Sequence, residues 1–115
     1  MAYSREESAA LPAGSLLKKR YRSGRVLGRG GAGITYEAFD TAARRAVALK
    51  EFCPAGLCLR DAETNALSPL DRESGTQFFM GSEAFLSQHR ALMDAAGSQN
   101  VVTVLDAFFE NGTSY

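Results

Sequence analysis

The sequence is poor in metal ligands and in cross-links. It has one histidine, His89, and two cysteines, Cys53 and Cys58, spaced C-x4-C. No second cysteine pair and no neighbouring histidine completes a zinc set, and two cysteines do not make a disulfide framework. Reduced thiols in a cytoplasmic protein are the expected state. Net charge is also lacking: 13 basic residues balance 13 acidic ones, which excludes a supercharged nucleic-acid coat. No apolar run approaches the roughly 18 residues of a membrane span. The apolar stretch Ala9 to Leu17 is broken by Pro12 and Gly14 and followed by Lys18 to Arg20, the reverse of a secretory signal. With 115 residues, 45% of them hydrophobic and 23% charged, the chain has the composition of one small globular domain.

The charge is unevenly spread. Residues 1–50 hold ten bases against four acids, and residues 51–115 hold three bases against nine acids. Six bases fall between Lys18 and Arg29 with no acid among them. Such a run suits an anionic partner, such as a phosphate group or a lipid surface. A solvated surface explains it as well, and from charge alone is the simpler reading.

Residues 1–15 are small, polar and patternless, and read as a flexible lead-in. A domain is expected over 16–115. Tyr21 to Leu27, Ile34 to Asp40 and Arg45 to Phe52 alternate as strands, with a turn at Thr41 to Arg44. Pro54 to Gln77 is rich in turn residues and reads as a long loop containing at most a small hairpin. Phe78 to Ala96 has helical spacing, with Phe85, Gln88/His89, Leu92 and Ala95/Ala96 on one face. Gly81 moves its firm start to about Ser82, and Gly97 stops it. Val101 to Glu110 reads as a fourth strand. Asn111-Gly112 then makes a two-residue hairpin turn that leaves only three residues for a fifth, a short and poorly paired arm.

The glycine segment Gly28-Arg-Gly30-Gly31-Ala-Gly33 has three possible designs. A dinucleotide fingerprint needs a helix to open at the third glycine, but Ile34 to Phe39 alternates as a strand. A Walker A loop needs a lysine after Gly33, where Ile34 stands. The third design is a glycine lid between two strands, with a lysine on the next strand reaching the α- and β-phosphates from below. Val47-Ala-Leu-Lys50 fits it, because alternation puts Ala48 and Lys50 on one face.

Leu27-Gly-Arg-Gly-Gly-Ala-Gly-Ile-Thr-Tyr36 and Val47-Ala-Leu-Lys-Glu-Phe-Cys-Pro54 resemble the N-terminal lobe of bacterial eukaryotic-like serine/threonine protein kinases. The subgroup in question has a G-G-F-G-I-T-Y loop and a V-A-I-K-E-Y-F-P strand. The resemblance extends to Leu11-Pro-Ala-Gly-Ser-Leu-Leu17, Arg20-Tyr-Arg22 and Val101 to Thr113. It implies an α+β fold: a twisted antiparallel sheet of four strands plus a truncated fifth, with one main helix. The implied function is the ATP-binding lobe of a kinase whose parent transfers the γ-phosphoryl of ATP to serine or threonine hydroxyls of a protein substrate. The implied ATP-binding residues are Leu27, Gly28, Arg29, Gly30, Gly31, Gly33, Thr35, Ala48 and Lys50. Nucleic acid is not among the implied partners, and the implied location is the cytoplasm.

The chain departs from the family pattern at two places. An aromatic residue usually sits at the lid tip, where this chain has Ala32. The helix glutamate that aims the strand lysine corresponds to Gln88 in Phe85-Leu-Ser-Gln-His-Arg-Ala-Leu92. A glutamine brings no charge, which opens the alternative of a pseudokinase-like nucleotide-binding or interaction module. Leu59-Arg-Asp61-Ala-Glu-Thr-Asn65 imitates a catalytic loop but lacks its histidine and has the wrong spacing. Asp106-Ala-Phe108 is likewise no metal-binding D-F-G. The resemblance therefore implies a chain cut before the hinge and the second lobe, without a catalytic base or metal carboxylates and inactive alone. Mg2+ is expected only with that second lobe. His89 reads as a satisfied, partly buried histidine.

Overall fold

The computed structural model describes residues 10–54, 56–94 and 103–115. The predicted helix stop at Gly97 and the strand start at Val101 and Val102 lie outside these residues, as do residues 1–9. The fold is α+β, a curled antiparallel sheet with one helix. Strands β1 (Leu16–Leu17), β2 (Tyr21–Arg29), β3 (Gly33–Asp40) and β4 (Arg45–Phe52) form a four-stranded sheet in that order. A hairpin of β5 (Cys58–Arg60) and β6 (Leu67–Pro69) follows, then helix α1 (Arg72–Asp94) and a hairpin of β7 (Phe109–Glu110) and β8 (Thr113–Ser114).

Alternation decides the sheet. In β3, Ile34, Tyr36, Ala38 and Asp40 are buried, while Glu37 and Phe39 face out. Strand β4 buries Leu49 and Glu51 and exposes Ala48 and Lys50. Asp40 can be buried because Arg20 donates to both of its oxygens, at 2.8 and 2.9 Å, and the Ala42 and Ala43 amides bond it at the turn. The Arg20 hydrogen bonds hold its carboxyl well below the usual carboxylate range.

The fourth strand of the sheet is Leu16–Leu17, and not the predicted Val101–Glu110. Among the described residues of that segment only Phe109–Glu110 is a strand. Ahead of that strand, side chains anchor the segment: Asp106 accepts from Lys18 Nζ at 2.8 and 3.0 Å and from the Tyr21 hydroxyl at 2.7 Å. An alternating pattern marks a half-buried extended segment, and it does not by itself supply a ladder partner. The last arm is better paired than expected. Phe108 and Tyr115 exchange both backbone bonds, at 2.8 and 3.0 Å, and Tyr115 is buried. Asn111 (φ 54°) and Gly112 (φ 73°) take the positive angles that this turn requires. Of the predicted lead-in, Leu11 is buried, and its amide donates to the Tyr36 hydroxyl at 2.9 Å.

The helix begins ten residues earlier than its glycine suggested, at Arg72 instead of about Ser82. Asp71 caps it by accepting from the Ser74 amide at 2.8 Å. Gly81 is there for packing. A Cβ on it would stand 2.5 Å from the Phe52 ring, and that ring packs between Phe78 and Phe85 at centroid distances of 5.6 and 5.7 Å. Tertiary contact thus offsets the roughly 1 kcal/mol that a glycine costs inside a helix.

Gly33 is fixed by a closer approach. A Cβ there would lie 1.9 Å from the Glu51 carbonyl oxygen of β4, and this atom belongs to backbone that cannot swing aside. Gly33→Ala is expected to lower stability by about 1–3 kcal/mol, as overpacking does. A shift in the urea midpoint at unchanged m checks this, and an unchanged midpoint would refute the close approach.

Candidate nucleotide site

The turn between β2 and β3 is closed by Gly30 and Gly33, which exchange backbone bonds at 2.9 and 3.3 Å. Its tip is tied down where the Cys53 amide donates to the Ala32 carbonyl at 3.3 Å. Gly33 has an internal reason to be glycine, and Gly28, Gly30 and Gly31 have none. Neither crowding nor a positive φ constrains them, and a Cβ on any of the three would meet open space. These three positions leave bare backbone facing outward, the condition for close approach of a phosphate to amide groups.

The register brings the motif together. Gly28 pairs with Thr35 across β2 and β3, and Thr35 pairs with Lys50 across β3 and β4. Residues directly opposite in antiparallel strands share a face. Gly28, Thr35 and Lys50 therefore form one row on the exposed face, and Ala48 lies on the same face two residues from Lys50. Leu27 is unpaired, because the register slips between Val26 and Gly28. Such a bulge re-aims a side chain, and Leu27 is left 52% exposed. Arg29 pairs with Ile34 and is exposed.

A cavity of about 430 Å3 opens beside this row, along the outer edge of β4. Thr35, Ala48 and Lys50 line it together with Val47, Phe85 and Leu105. Leu27, Gly28, Arg29, Gly30, Gly31 and Gly33 do not line it; the first five are exposed beyond Thr35, and Gly33 is buried. Lys50 Nζ lies 6.0 Å from the centroid of the Phe85 ring, and among the described residues it makes no ion pair.

The structure does not bring Gln88 to Lys50. Gln88 is exposed and absent from the cavity wall, whereas the next residue, His89, lines it. The helix face is set by Phe78, Ser82 and Phe85, which are buried, and one further turn of about 3.6 residues leads to His89. His89 Nδ1 donates to the Phe85 carbonyl at 2.7 Å, and the two rings pack at 4.2 Å with their planes tilted by 37°. The predicted satisfied, partly buried histidine is therefore seen, and it lines the cavity where Gln88 does not.

Sequence reasoning passed over Glu51. It is fully buried and accepts from the Tyr36 hydroxyl at 2.8 Å, Arg60 at 2.5 Å and the Tyr115 hydroxyl at 2.5 Å. Burial and the Glu51 charge push both tyrosines well above their usual range. Burial works against the Arg60 charge, but Glu51 outweighs it and raises the guanidinium further. This network joins β3, β4, β5 and the last hairpin directly behind Lys50. Strand parity carried the signal, since Lys50 facing out requires Glu51 to face in. The imitation catalytic loop is a turn of the β5–β6 hairpin: Asp61 accepts from the Glu63 and Thr64 amides at 2.8 and 2.9 Å.

No protein-family model matches the chain, and no curated protein matches it. A solved structure of a bacterial serine/threonine kinase does, PpkA-294 in its apo form, with a TM-score of 0.83 and 29% sequence identity. The match covers 93% of this chain and 37% of that one, so the chain spans well under half of its neighbour's length. The likeness fits a kinase-like N-lobe. No helix among the described residues is long and apolar enough to cross a membrane.

Proposed function

We propose that this chain is the ATP-binding lobe of a protein serine/threonine kinase. In this reading Lys50 holds the α- and β-phosphates, and the Gly28–Gly33 segment covers them with backbone amides. Leu27, Thr35 and Ala48 take the adenine side, and Arg29 borders the lid. The observation that carries the reading is the row Gly28, Thr35, Lys50 across three strands, which sets bare backbone and an ammonium group, without an ion-pair partner among the described residues, on one face. The cavity beside it has a volume usual for small-molecule sites. The catalytic base, the Mg2+ ligands and the protein substrate's hydroxyl site are assigned to the second lobe of the parent protein.

Titrating ATP into the chain and following amide resonances tests this. Shifts are expected at Gly28, Gly30, Gly31 and Lys50, with adenosine moving the glycines far less because it lacks phosphates. An ATP-independent spectrum at millimolar nucleotide would overturn the assignment.

A second reading, a nucleotide-binding or interaction module without phosphoryl transfer, is favoured by one observation. No carboxylate among the described residues meets Lys50, whereas active kinases pair it with a helix glutamate. Transfer of labelled phosphate by the parent protein separates the two.

A further inference from the structure

Cys53 follows β4 and Cys58 opens β5. Both are buried, 5% and 3% exposed, and their Sγ atoms stand 3.3 Å apart. A disulfide has a sulfur separation of about 2.05 Å, so bond formation asks for a movement of only about 1 Å. The two residues join the end of one strand to the start of the next, and no domain or helix has to move. Two thiols make half a zinc set, and among the described residues no group of three potential ligands surrounds a common point.

We propose that Cys53 and Cys58 are an oxidisable pair, closed to an intramolecular disulfide by a small peroxide such as hydrogen peroxide. Their burial selects for an oxidant of that size over a bulky disulfide such as oxidised glutathione. Cys58 attacks first. The two sulfurs are within hydrogen-bond distance and either can donate; with Cys53 as the donor, that bond and the Arg60 charge lower the Cys58 pKa against the opposing effects of burial and the Glu51 charge. The same contact and burial hold the Cys53 proton on. The Cys58 thiolate forms a bond to one peroxide oxygen, the O–O bond breaks, and the other oxygen leaves as water after taking a proton. Cys58 is then a sulfenic acid. The Cys53 sulfur attacks the Cys58 sulfur, the S–O bond breaks, and a second water leaves carrying the Cys53 proton. In sum two thiols and one peroxide give one disulfide and two waters, and two electrons pass from sulfur to oxygen. Disulfides of this kind in cytosolic proteins are typically transient and redox-sensing.

The bridge would fasten the β5–β6 hairpin to the end of β4. It would also reach the glycine turn, because the Cys53 amide donates to the Ala32 carbonyl.

The test treats the chain with hydrogen peroxide, quenches with acid, unfolds it, alkylates with iodoacetamide and digests with trypsin. Cleavage after Lys50 and Arg60 leaves both cysteines in one peptide, 51–60. Complete loss of alkylation is expected, with a peptide two hydrogens lighter than the reduced one, and dithiothreitol restores both alkylation sites. Two alkyl groups after peroxide, a sulfinic acid on one cysteine or a disulfide between two chains would each overturn the proposal. In Cys53→Ser the sulfenic acid at Cys58 has no resolving partner and is trapped by dimedone. Absence of that adduct in a folded variant counts against Cys58 as the attacking sulfur. Should Cys53→Ser fail to fold, the alkylation pattern of the unmodified chain decides alone.

Discussion

Replacing Lys50 by alanine is expected to weaken ATP binding about 10- to 100-fold while leaving the fold intact. The magnitude follows from losing a charge-assisted contact worth about 1.5–3 kcal/mol. The fold is spared because Lys50 is exposed and has no ion pair among the described residues to lose. Its ammonium lies 6.0 Å from the centroid of the Phe85 ring, a contact worth about 0.5–1 kcal/mol at an exposed site. Thermal unfolding and an ATP titration of the same sample separate the two effects. A variant that unfolds at the same temperature and binds ATP as tightly as the original chain would remove Lys50 from the site. Lys50→Arg should recover part of the loss, since it keeps the charge but not the compact ammonium.

The opposite pattern is expected one residue later. Glu51→Gln removes the charge that Arg60 faces with both side chains almost wholly buried, 3% and 0% exposed. Breaking a buried pair by neutralising one partner costs about 3–5 kcal/mol, against a total stability of about 5–15 kcal/mol for a domain of ordinary size. Tyr36 and Arg60 share one carboxylate oxygen and Tyr115 uses the other, so the single oxygen of the amide leaves one side without its acceptor whichever way it turns. Urea denaturation measures the loss, and a cost below about 1 kcal/mol would mean that the network is incidental. The double variant Glu51→Gln, Arg60→Met should be less unstable than the single one, because it removes the charge left without its carboxylate.

These neighbouring residues also show what could be read in advance. Strands β2, β3 and β4 were legible to within two residues, because period-two alternation with one buried face leaves little freedom. The hairpin at Asn111-Gly112 was legible because few residue pairs accept two positive φ angles. The start of α1 was not. Gly75 and Gly81 weaken its local propensity, and only the Phe52 ring, far away in sequence, explains Gly81. The segment before Glu110 has a strand's pattern but is anchored by Asp106 to Lys18 and Tyr21, contacts that no local window contains. At the site, the shared face of Ala48 and Lys50 was legible from alternation. The helix residue that lines the cavity with Lys50 was not. A helical position is set by which side packs, and an offset of one residue turns a side chain through about 100°, enough to exchange Gln88 for His89.

The row through Gly28, Thr35 and Lys50 restricts how this chain can vary. One residue inserted or deleted between Ala46 and Leu49 would invert every following side chain of β4, sending the ammonium inward and the Glu51 carboxylate out to water. The turn at Thr41 to Arg44 lies outside the paired ladder, so changes of length there leave that parity untouched. Length variation among relatives should therefore gather in the turns, with the number of residues between them held constant.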